Sequence, residues 1–416
     1  MRIVINAASA KVGGAVTYIS GVLHALPGPE SGHEFEVYLP PETARGLTGL
    51  TPNVDLIATG VGHAPLWKRV WWEQVTLRRR LRKGGADVLF SSGGFGMFRC
   101  PVRQVLLVCN ALYFSRLYWK QLASRYPLKK KVNFLLRRWH CRQSVRAADV
   151  VMTPTRAELE EIHESGAIMR GHAFVNPYGL APDAVSRPRR AETSLAEQGT
   201  RVVRLLYVSF YYDHKNLATL LHAVRLLNGD AARASVQFRL KTTANPSWTG
   251  APLAPTQRDD AKLVREDSIA PWVEFVGPFS RDEARRLYAD ADLFVFPSLT
   301  ESFGNPMVEA MAAGLPIVAS DIPVNREICG DAAEYFSPLS AEELAGTLRR
   351  VAADPALRRR LSEAGRRRAR AASRWDQHVS RIMEAVEPEV RSVQSSVLSK
   401  QPQTAVPCAP LLKADN

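Results

Sequence analysis

The feature that most constrains the fold of this chain is a repeated alternation of short apolar segments with amphipathic stretches of helix length. Each apolar segment ends at a turn marked by Gly or Ser, and the next stretch repeats its apolar residues with helical spacing. This order is typical of βαβ units, in which a helix connects two parallel strands. The alternation fills the first half and starts again after residue 200. The sequence therefore predicts an α/β protein with two doubly wound, Rossmann-like domains.

The apolar segments and the helical stretches can be assigned along the chain. In the first half the predicted strands are 2–6, 34–39, 54–59, 87–91, 104–108, 149–153 and 172–176, with helices over 14–25, 66–82, 129–147 and 155–165. In the second half the predicted strands are 202–209, 235–241, 272–277, 292–298, 316–320 and 333–337, with helices over 215–228, 257–268, 281–289, 306–313 and about 340–388.

A chain of 416 residues exceeds the usual size of a single core. We predict one domain over 1–180, a Pro-bearing, aperiodic linker over 181–200 and a second domain over 201–375. A helix over 376–391 is expected to cross back to the first domain, and the polar tail 392–416 is expected to be disordered. Two such domains leave a cleft between them, so chemistry is expected in the loops that follow strands.

Charge and cysteine content restrict the partners and the compartment. The net charge is +14, with basic clusters at 78–83, 129–142 and 358–370, which suits an anionic membrane surface or nucleic acid; solvated helix faces are the other reading. The five cysteines and nine histidines lack the spacing of metal ligands or redox dithiols, which favours a reducing, cytoplasmic location. No apolar run reaches the length of a membrane-spanning helix, and the N-terminal run is too short for a secretory signal.

The stretch TESFGNPMVEAMAAGLPIVASD, residues 300–321, carries two glutamates around a turn that begins a helix. Glu301 follows the predicted strand 292–298 and is expected to face the cleft. Asn305 is the predicted N-cap, with Glu309 about one turn into the helix and Gly314 as its left-handed C-cap. The free N–H groups of the turn suit a phosphate or a hydroxyl-rich ligand, and the carboxylates suit sugar hydroxyls. Surface acids beside a helix start are the plainer alternative.

This stretch continues as DIPVNREICGDAAEYFSP and is preceded by VEFVGPFSRDEARRLYADADLFVFP. Over most of residues 200–340 the sequence resembles glycosyltransferase family 4, whose members are retaining nucleotide-sugar glycosyltransferases of GT-B fold. The resemblance implies an acceptor-binding first domain and a nucleotide-sugar-binding second domain that face an interdomain cleft. It also implies that Glu301 binds hydroxyls of the donor sugar and that Glu309 holds the ribose. The adjoining turn, with Phe303, Gly304 and Asn305, is expected to contact the sugar or its diphosphate.

The resemblance also extends to a phosphate-binding lysine. Lys215 follows the first strand of the second domain, where the family carries this residue, and Ser209 on the same loop is expected to bind the donor. The family's usual arginine five residues earlier is Phe210 here. Either His214 or another base replaces that arginine, or Lys215 and helix dipoles hold the diphosphate alone.

Loops of the first domain supply the remaining candidates. Gly13 and Gly14 follow the first strand, and similar proteins use this loop beside the diphosphate and the acceptor; a tight βα turn is the alternative. The family's common His-Asp pair is replaced by Cys109 and Asn110. Asn110 is a candidate for hydrogen-bonding a sugar hydroxyl, and Cys109 is not expected to be a nucleophile.

Two further motifs are assigned structural or minor roles. The GGFG segment, 93–96, is predicted to be a flexible loop that faces the cleft, where it either lines an acceptor groove or is simply a turn. The DAD segment, 290–292, mimics a metal-binding motif of other glycosyltransferases, but it precedes a strand and is expected at the edge far from the cleft.

The resulting hypothesis is a retaining, metal-independent hexosyltransferase without a cofactor, the nucleotide-sugar being a co-substrate. Mannose from GDP-mannose is the first choice of donor, and a saccharide or lipid-linked saccharide of bacterial surface polysaccharide or lipopolysaccharide is the expected acceptor. We expect a cytoplasmic location with peripheral contact at an anionic inner membrane face, and no nucleic-acid partner. The alternatives are a nucleotide-sugar epimerase of GT-B fold and a basic nucleic-acid-binding protein, for which no binding motif is visible.

Overall fold

The computed structural model describes residues 1–180, 201–229, 235–246, 255–266, 268–277 and 281–387. The predicted linker, 181–200, and the predicted tail, 392–416, lie outside these residues. The described part forms two lobes, each built on one parallel sheet. We call residues 1–180 the N-terminal lobe and residues 201–371 the C-terminal lobe.

The N-terminal lobe contains a seven-stranded sheet in the order β3-β2-β1-β4-β5-β6-β7, with every neighbouring pair parallel. Its strands are β1 (Arg2–Asn6), β2 (Glu34–Leu39), β3 (Val54–Ala58), β4 (Val88–Ser91), β5 (Arg103–Leu107), β6 (Val150–Thr153) and β7 (His172–Val175). The strand order reverses between β1 and β4, which makes the carboxyl ends of these two strands a topological switch point.

The C-terminal lobe contains a six-stranded sheet in the order β10-β9-β8-β11-β12-β13, again with parallel neighbours. Its strands are β8 (Arg201–Tyr207), β9 (Val236–Thr242), β10 (Val273–Phe275), β11 (Leu293–Phe296), β12 (Ile317–Ser320) and β13 (Ala333–Phe336). Here the order reverses between β8 and β11. Each of these strands overlaps a strand predicted from the sequence, and the predicted pair of doubly wound, Rossmann-like sheets is confirmed.

Helices cover the faces of both sheets. In the N-terminal lobe they are α1 (Gly14–His24), α2 (Pro41–Arg45), α3 (Leu66–Trp71), α4 (Arg78–Lys83), α5 (Arg116–Gln121), α6 (Leu128–Ala147) and α7 (Arg156–Glu164). In the C-terminal lobe they are α8 (Leu217–Leu227), α9 (Pro255–Leu263), α10 (Arg281–Asp290), α11 (Asn305–Ala312), α12 (Pro323–Cys329), α13 (Ala341–Ala353) and α14 (Pro355–Ala371).

The helix predicted over 66–82 differs from a regular α-helix. A π-helical turn, Trp72–Leu77, joins α3 to α4. Glu73, within this turn, is buried, while Trp67 and Trp71, which precede it on α3, are more than half exposed.

The last described helix, α15 (Trp375–Val386), lies against the N-terminal lobe. Leu180 and Arg374 form a parallel bridge just before it. The backbone carbonyl of Pro177 lies 2.9 Å from Nδ1 of His378, and the Tyr18 hydroxyl lies 3.1 Å from Nε2 of the same ring. The chain thus returns to the N-terminal lobe after the C-terminal lobe is complete.

Candidate active site

A cavity of about 1200 Å³ lies between the two sheets. Its walls are loops that follow strands at the carboxyl edges of both sheets, together with the amino ends of α1 and α11. A space of this size lies above the usual volume range of a pocket for one small ligand. The position is the one that the doubly wound architecture predicts.

Lys215 and Glu301 meet on the wall of this cavity formed by the C-terminal lobe. Lys215 ends a 3₁₀ turn after β8, and Glu301 follows β11, the neighbouring strand. The Lys215 ammonium donates to Oε1 of Glu301 at 2.5 Å, and their side chains are only 16% and 10% exposed. Adjacent central strands therefore bring together the predicted phosphate-binding cation and the predicted sugar-binding carboxylate.

Glu309 lines the same cavity from α11. The Tyr288 hydroxyl, from α10, donates to Oε2 of Glu309 at 2.7 Å. Tyr288 is buried, and burial followed by the Glu309 charge raises the pKa of its phenol well above the usual value, so the hydroxyl remains a donor. Tyr288 thus orients Glu309. Sequence reasoning missed it because the two residues are 21 positions apart on different helices.

The start of α11 differs by one residue from the prediction. Gly304 is the N-cap, with a left-handed φ of 84°, and Asn305 is the first helical residue rather than the cap. The left-handed conformation favours Gly, which explains why the cap has no side chain. Phe303 is buried, with its ring 4.9 Å from that of Tyr178 in the N-terminal lobe. Ala313 is the C-cap, and Gly314, the predicted cap, is the next residue and has a left-handed φ of 73°, so the left-handed glycine closes the helix one position after the cap.

The Gly13-Gly14 loop faces the C-terminal lobe across the cavity. Gly13 has a φ of 61° and caps α1, which begins at Gly14. A Cβ built on Gly13 would lie 2.7 Å from Cε2 of Phe210, whereas one on Gly14 would lie 4.0 Å from Nδ2 of Asn305. The absence of a side chain at Gly13 therefore permits the close approach of Phe210, and the amino ends of α1 and α11 both open on the cleft.

Ser209 and Asn110 occupy opposite walls of the cavity. The Ser209 N–H donates to Oγ1 of Thr243, and the Thr243 hydroxyl donates back to the Ser209 carbonyl, both at 2.9 Å. Asn110 comes directly after Cys109, and burial raises the pKa of the Cys109 thiol to about 12. A thiol of this pKa is protonated at neutral pH and is a poor nucleophile, in agreement with the sequence interpretation.

His214 does not line the cavity, although it was a candidate donor-binding residue and a candidate replacement for the family's arginine. Its ring lies among aromatic rings, 5.6 Å from Tyr212 and 6.1 Å from Tyr118. Burial, with a smaller effect of the Lys215 charge, lowers its pKa well below the usual value. The imidazole is therefore neutral at physiological pH, and it does not supply the missing cation.

The GGFG segment is well ordered by its contacts. Gly94 and Phe95 are buried, and the Gly94 N–H donates to the carbonyl of Leu107 at 3.0 Å. The Gln104 side chain bonds both backbone groups of Met97, just after the segment. These contacts tie the predicted flexible loop to β5. It still faces the cleft, through Gly93 and Phe95.

Contacts between the lobes hold the loop that carries Glu301. The Thr155 hydroxyl, at the start of α7, donates to the carbonyl of Ser302 at 2.9 Å. The carboxylate of Glu327, on α12, accepts bonds from the N–H groups of Arg156 and Ala157 at 2.9 and 2.7 Å. An acid of one lobe therefore caps a helix of the other, next to the site.

The DAD segment lies at the amino end of β11, the edge away from the cleft. Asp292 accepts bonds from the backbone N–H and Nε of Arg204, at 2.9 and 3.2 Å. Within the described ranges, no three His, Cys, Asp or Glu side chains are grouped as a metal site. Over the same part of the chain, no helix is long and apolar enough to span a bilayer.

Comparisons with protein families match both halves of the chain. The family model described as Glycosyltransferase Family 4 matches residues 12–184, and the one described as Glycosyl transferases group 1 matches residues 196–368. These matches cover the two lobes separately.

Two individual relatives match the chain at 26–28% identity over part of its length. The chain is 28% identical to an MMP alpha-(1->4)-mannosyltransferase of Mycolicibacterium hassiacum over 62% of its own length and 60% of that protein. It is 26% identical to O-antigen chain mannosyltransferase B of Escherichia coli over 51% of its length and 53% of that protein. The matched regions therefore span little more than half of these relatives.

Among solved structures, a sucrose-phosphate synthase of Thermosynechococcus elongatus superposes with a TM-score of 0.71 at 18% identity, covering 92% of this chain and 98% of that one. At this level of identity the likeness establishes the fold alone. It confirms the predicted GT-B arrangement of two Rossmann-like domains.

Proposed function

The chain belongs to glycosyltransferase family 4, and on this basis we propose that it transfers a hexosyl unit from a nucleotide-sugar to a saccharide acceptor, with retention of anomeric configuration and without a metal ion. One observation carries the proposal: Glu301, Lys215 and Glu309 line one cavity with the Gly13-Gly14 loop of the opposite lobe. Glu309 is the proposed partner of the ribose, and Glu301 that of the hexose hydroxyls. GDP-mannose is the preferred donor, and it is supported by the mannosyltransferase names of the two relatives.

The charge that develops on the leaving diphosphate requires positive groups nearby. Lys215 supplies a cation at the cavity wall, and the amino ends of α1 and α11 supply free N–H groups and the positive ends of their dipoles. Phe210 carries no charge, and His214 is neutral, so the proposed site relies on Lys215 and these helices where relatives have an additional arginine. Asn110, on the N-terminal wall, is the proposed contact of a sugar hydroxyl.

The proposed reaction proceeds on one face of the sugar. The bond from the anomeric carbon to the phosphate oxygen breaks, and the bond from that carbon to the acceptor oxygen forms. The departing phosphate oxygen takes the proton of the acceptor hydroxyl, so no side chain is required as general base. This route suits a site in which Cys109 stands where relatives have a histidine.

The proposed acceptor is a lipid-linked or growing saccharide of surface polysaccharide, held near an anionic membrane. Helix α6 supports this proposal, because its apolar side chains at Leu128, Leu136 and Trp139 are more than half exposed beside Lys129 and Lys131. Apolar and basic residues on one exposed helix favour the interface of an anionic bilayer. Flotation with anionic liposomes is expected to show binding that salt weakens. Equal recovery with neutral and anionic liposomes would contradict it.

A donor panel tests the activity itself. GDP-mannose, UDP-glucose and related nucleotide-sugars are offered with saccharide acceptors, with and without EDTA, and the product anomer is identified by NMR. Glu301→Gln is expected to abolish transfer, whereas Glu363→Gln, on the exposed side of α14, is expected to leave it unchanged. Conversion of the donor without acceptor would favour an epimerase instead. Full activity of Glu301→Gln would contradict the proposal.

A further inference from the structure

Two arginines of the N-terminal lobe line the cavity but do not belong to the proposed donor site. Arg69 lies on α3 and Arg137 on α6, helices that are far apart in sequence. They lie on the wall opposite Lys215, Glu301 and Glu309, which belong to the C-terminal lobe. Two cations on this wall could bind an anionic ligand.

Arg69 is held in place by its neighbours. Its Nε lies 3.6 Å from Oε1 of Glu73, and its guanidinium lies 5.5 Å from the centre of the Phe95 ring. A Cβ built on Gly93 would lie 3.8 Å from its Nη2. The Arg69 side chain is 14% exposed, so a largely buried cation is presented to the cavity beside the GGFG segment.

Arg137 has weaker support within the protein. Its Nε donates to Oδ1 of Asn133 at 3.5 Å, a long contact. Across the residues that the structure describes, no carboxylate lies within 4.0 Å of its guanidinium, whereas Arg69 has Glu73. The half-buried Arg137 guanidinium therefore lines the cavity with N–H donors that no carboxylate of the described residues occupies, and an anionic ligand could accept from them.

The charges of Arg69 and Arg137 shift the pKa values of neighbouring groups. Burial raises the pKa of Tyr113, and Arg137 and Arg69 oppose this rise. Burial lowers the pKa of Lys11, repulsion from Arg69 lowers it further, Glu42 opposes this fall, and Arg137 adds a smaller lowering effect. The pKa of His140 falls to about 4, mainly through burial and then through the two arginines. Three groups from different elements thus lie in the field of the same two cations.

The nearby carboxylates do not cancel this field. Burial raises the pKa of Glu73 to about 6 against the attraction of Arg69, and Glu73 pairs with only one of the cations. Glu42, close to Lys11, accepts a bond from Nε2 of His63 at 2.6 Å. The N-terminal wall of the cavity therefore carries an excess of positive charge, which attracts anions into the cleft.

We propose that Arg69 and Arg137 bind an anionic group, a phosphate or a carboxylate, carried by the acceptor saccharide. Guanidinium groups suit both anions, because their planar array of N–H donors matches two oxygens at once. The side chains proposed for the donor, Lys215, Glu301 and Glu309, lie on the opposite lobe, so an anionic acceptor is the favoured occupant. The donor's diphosphate at the amino end of α1 is the alternative, and measurement of nucleotide affinity distinguishes the two. This inference rests on the proposed function and names the class of its acceptor.

The test uses the full chain saturated with a nucleoside diphosphate and measures binding of glucose 6-phosphate, glucuronate and glucose by NMR titration. One or both of the anionic probes are expected to bind at least tenfold more tightly than glucose. Arg137→Gln is expected to weaken binding of the preferred anionic probe about tenfold. Arg69→Lys is expected to weaken this binding less. Arg138→Gln is the matched control, since Arg138 is the next residue of α6 and does not line the cavity. The two anionic probes separate phosphate from carboxylate.

Nucleotide binding distinguishes a failure of this inference from a failure of the proposed function. Nucleoside diphosphate affinity, measured by calorimetry, is expected to be unchanged in Arg137→Gln and lost in Lys215→Ala. Equal binding of glucose and both anionic probes would overturn the inference, as would a tenfold loss of nucleotide affinity in Arg137→Gln, which would assign the arginines to the donor. If no nucleotide binds at all, the proposed function fails, and the same titration without nucleotide still reports whether the arginines bind an anion.

Discussion

Lys215 and Glu301 form a 2.5 Å ion pair between the loops that follow two adjacent central strands, β8 and β11. The pair is nearly buried, so each side chain has one preferred position on the cavity wall. Preorganised charges of this kind stabilise a reacting group without reorganisation during the reaction. The pair explains why a cation 86 positions from a carboxylate belongs to the same site.

The first prediction concerns the charge of Lys215. Lys215→Met removes the cation proposed to stabilise the leaving diphosphate, and we expect kcat to fall about 100-fold or more. Steady-state transfer assays measure the change. Lys241→Met is the control: Lys241 pairs with Glu274 at 3.2 Å in the same sheet, but it does not line the cavity. Equal losses of kcat in the two variants would indicate a disturbed fold rather than a lost charge at the site.

The second prediction concerns the orientation of Glu309. Tyr288→Phe deletes the hydroxyl that donates to this carboxylate, and a hydrogen bond to a charged group contributes about 1.5 kcal/mol or more. We expect the KM for the donor to rise about tenfold with little change in kcat. Tyr335→Phe, which removes a bond to the carbonyl of Gly330, should leave the KM unchanged. An unaltered KM in Tyr288→Phe would contradict the proposal that the orientation of Glu309 matters for donor binding.

The third prediction concerns the approach of the two lobes at Gly13. Gly13→Ala places a methyl group against the Phe210 ring and strains a left-handed backbone, so we expect a clear loss of kcat/KM. Gly13→Ala with Phe210→Ala should recover part of this loss, because only the backbone strain of about 1–3 kcal/mol then remains. Gly14→Ala should be tolerated. If Phe210→Ala gives no recovery, contact with the Phe210 ring is not the cause of the lost kcat/KM.

The fourth prediction concerns pH and Glu161 on α7. Burial, with a smaller effect of Glu164, raises the pKa of Glu161 from 4.5 to about 7. Because the folded state retains this proton to higher pH than the unfolded state, its contribution to stability is complete below pH 4.5 and is lost as the pH rises through 7. Glu161→Gln should therefore raise the free energy of unfolding at pH 8 by about 1–3 kcal/mol and leave it unchanged near pH 4. Glu160→Gln, at an exposed neighbouring position, should change neither value. Denaturant unfolding at the two pH values tests the difference.

The strands and the position of the site followed directly from the sequence, because parallel strands buried on both faces are near-continuous apolar runs. The run LFVF of β11, followed by a polar loop and the glycine-bearing turn before α11, placed Glu301 at the carboxyl edge of a sheet. Local sequence determines these features, and no long-range contact is needed to find them.

Features that depend on contacts between distant segments did not follow from the sequence. The π-helical turn buries Glu73 beside Arg69, and nothing in the helical spacing of 66–82 indicates the extra residue. Tyr288 reaches Glu309 from another helix, and His214 turns toward Tyr118 of the opposite lobe. The GGFG segment has a flexible composition, yet Gln104 and Leu107 hold it. In each case tertiary packing overrides the local pattern.

The most direct test of the central claim is a crystal structure with the nucleotide-sugar that the donor panel selects, or with its non-transferable fluorinated analogue. The account predicts that the ribose hydroxyls lie within hydrogen-bonding distance of Glu309, the hexose hydroxyls beside Glu301 and the diphosphate beside Lys215 and the amino ends of α1 and α11. A nucleotide bound away from the cavity between the lobes, or one whose ribose and hexose contact neither glutamate, would contradict the account.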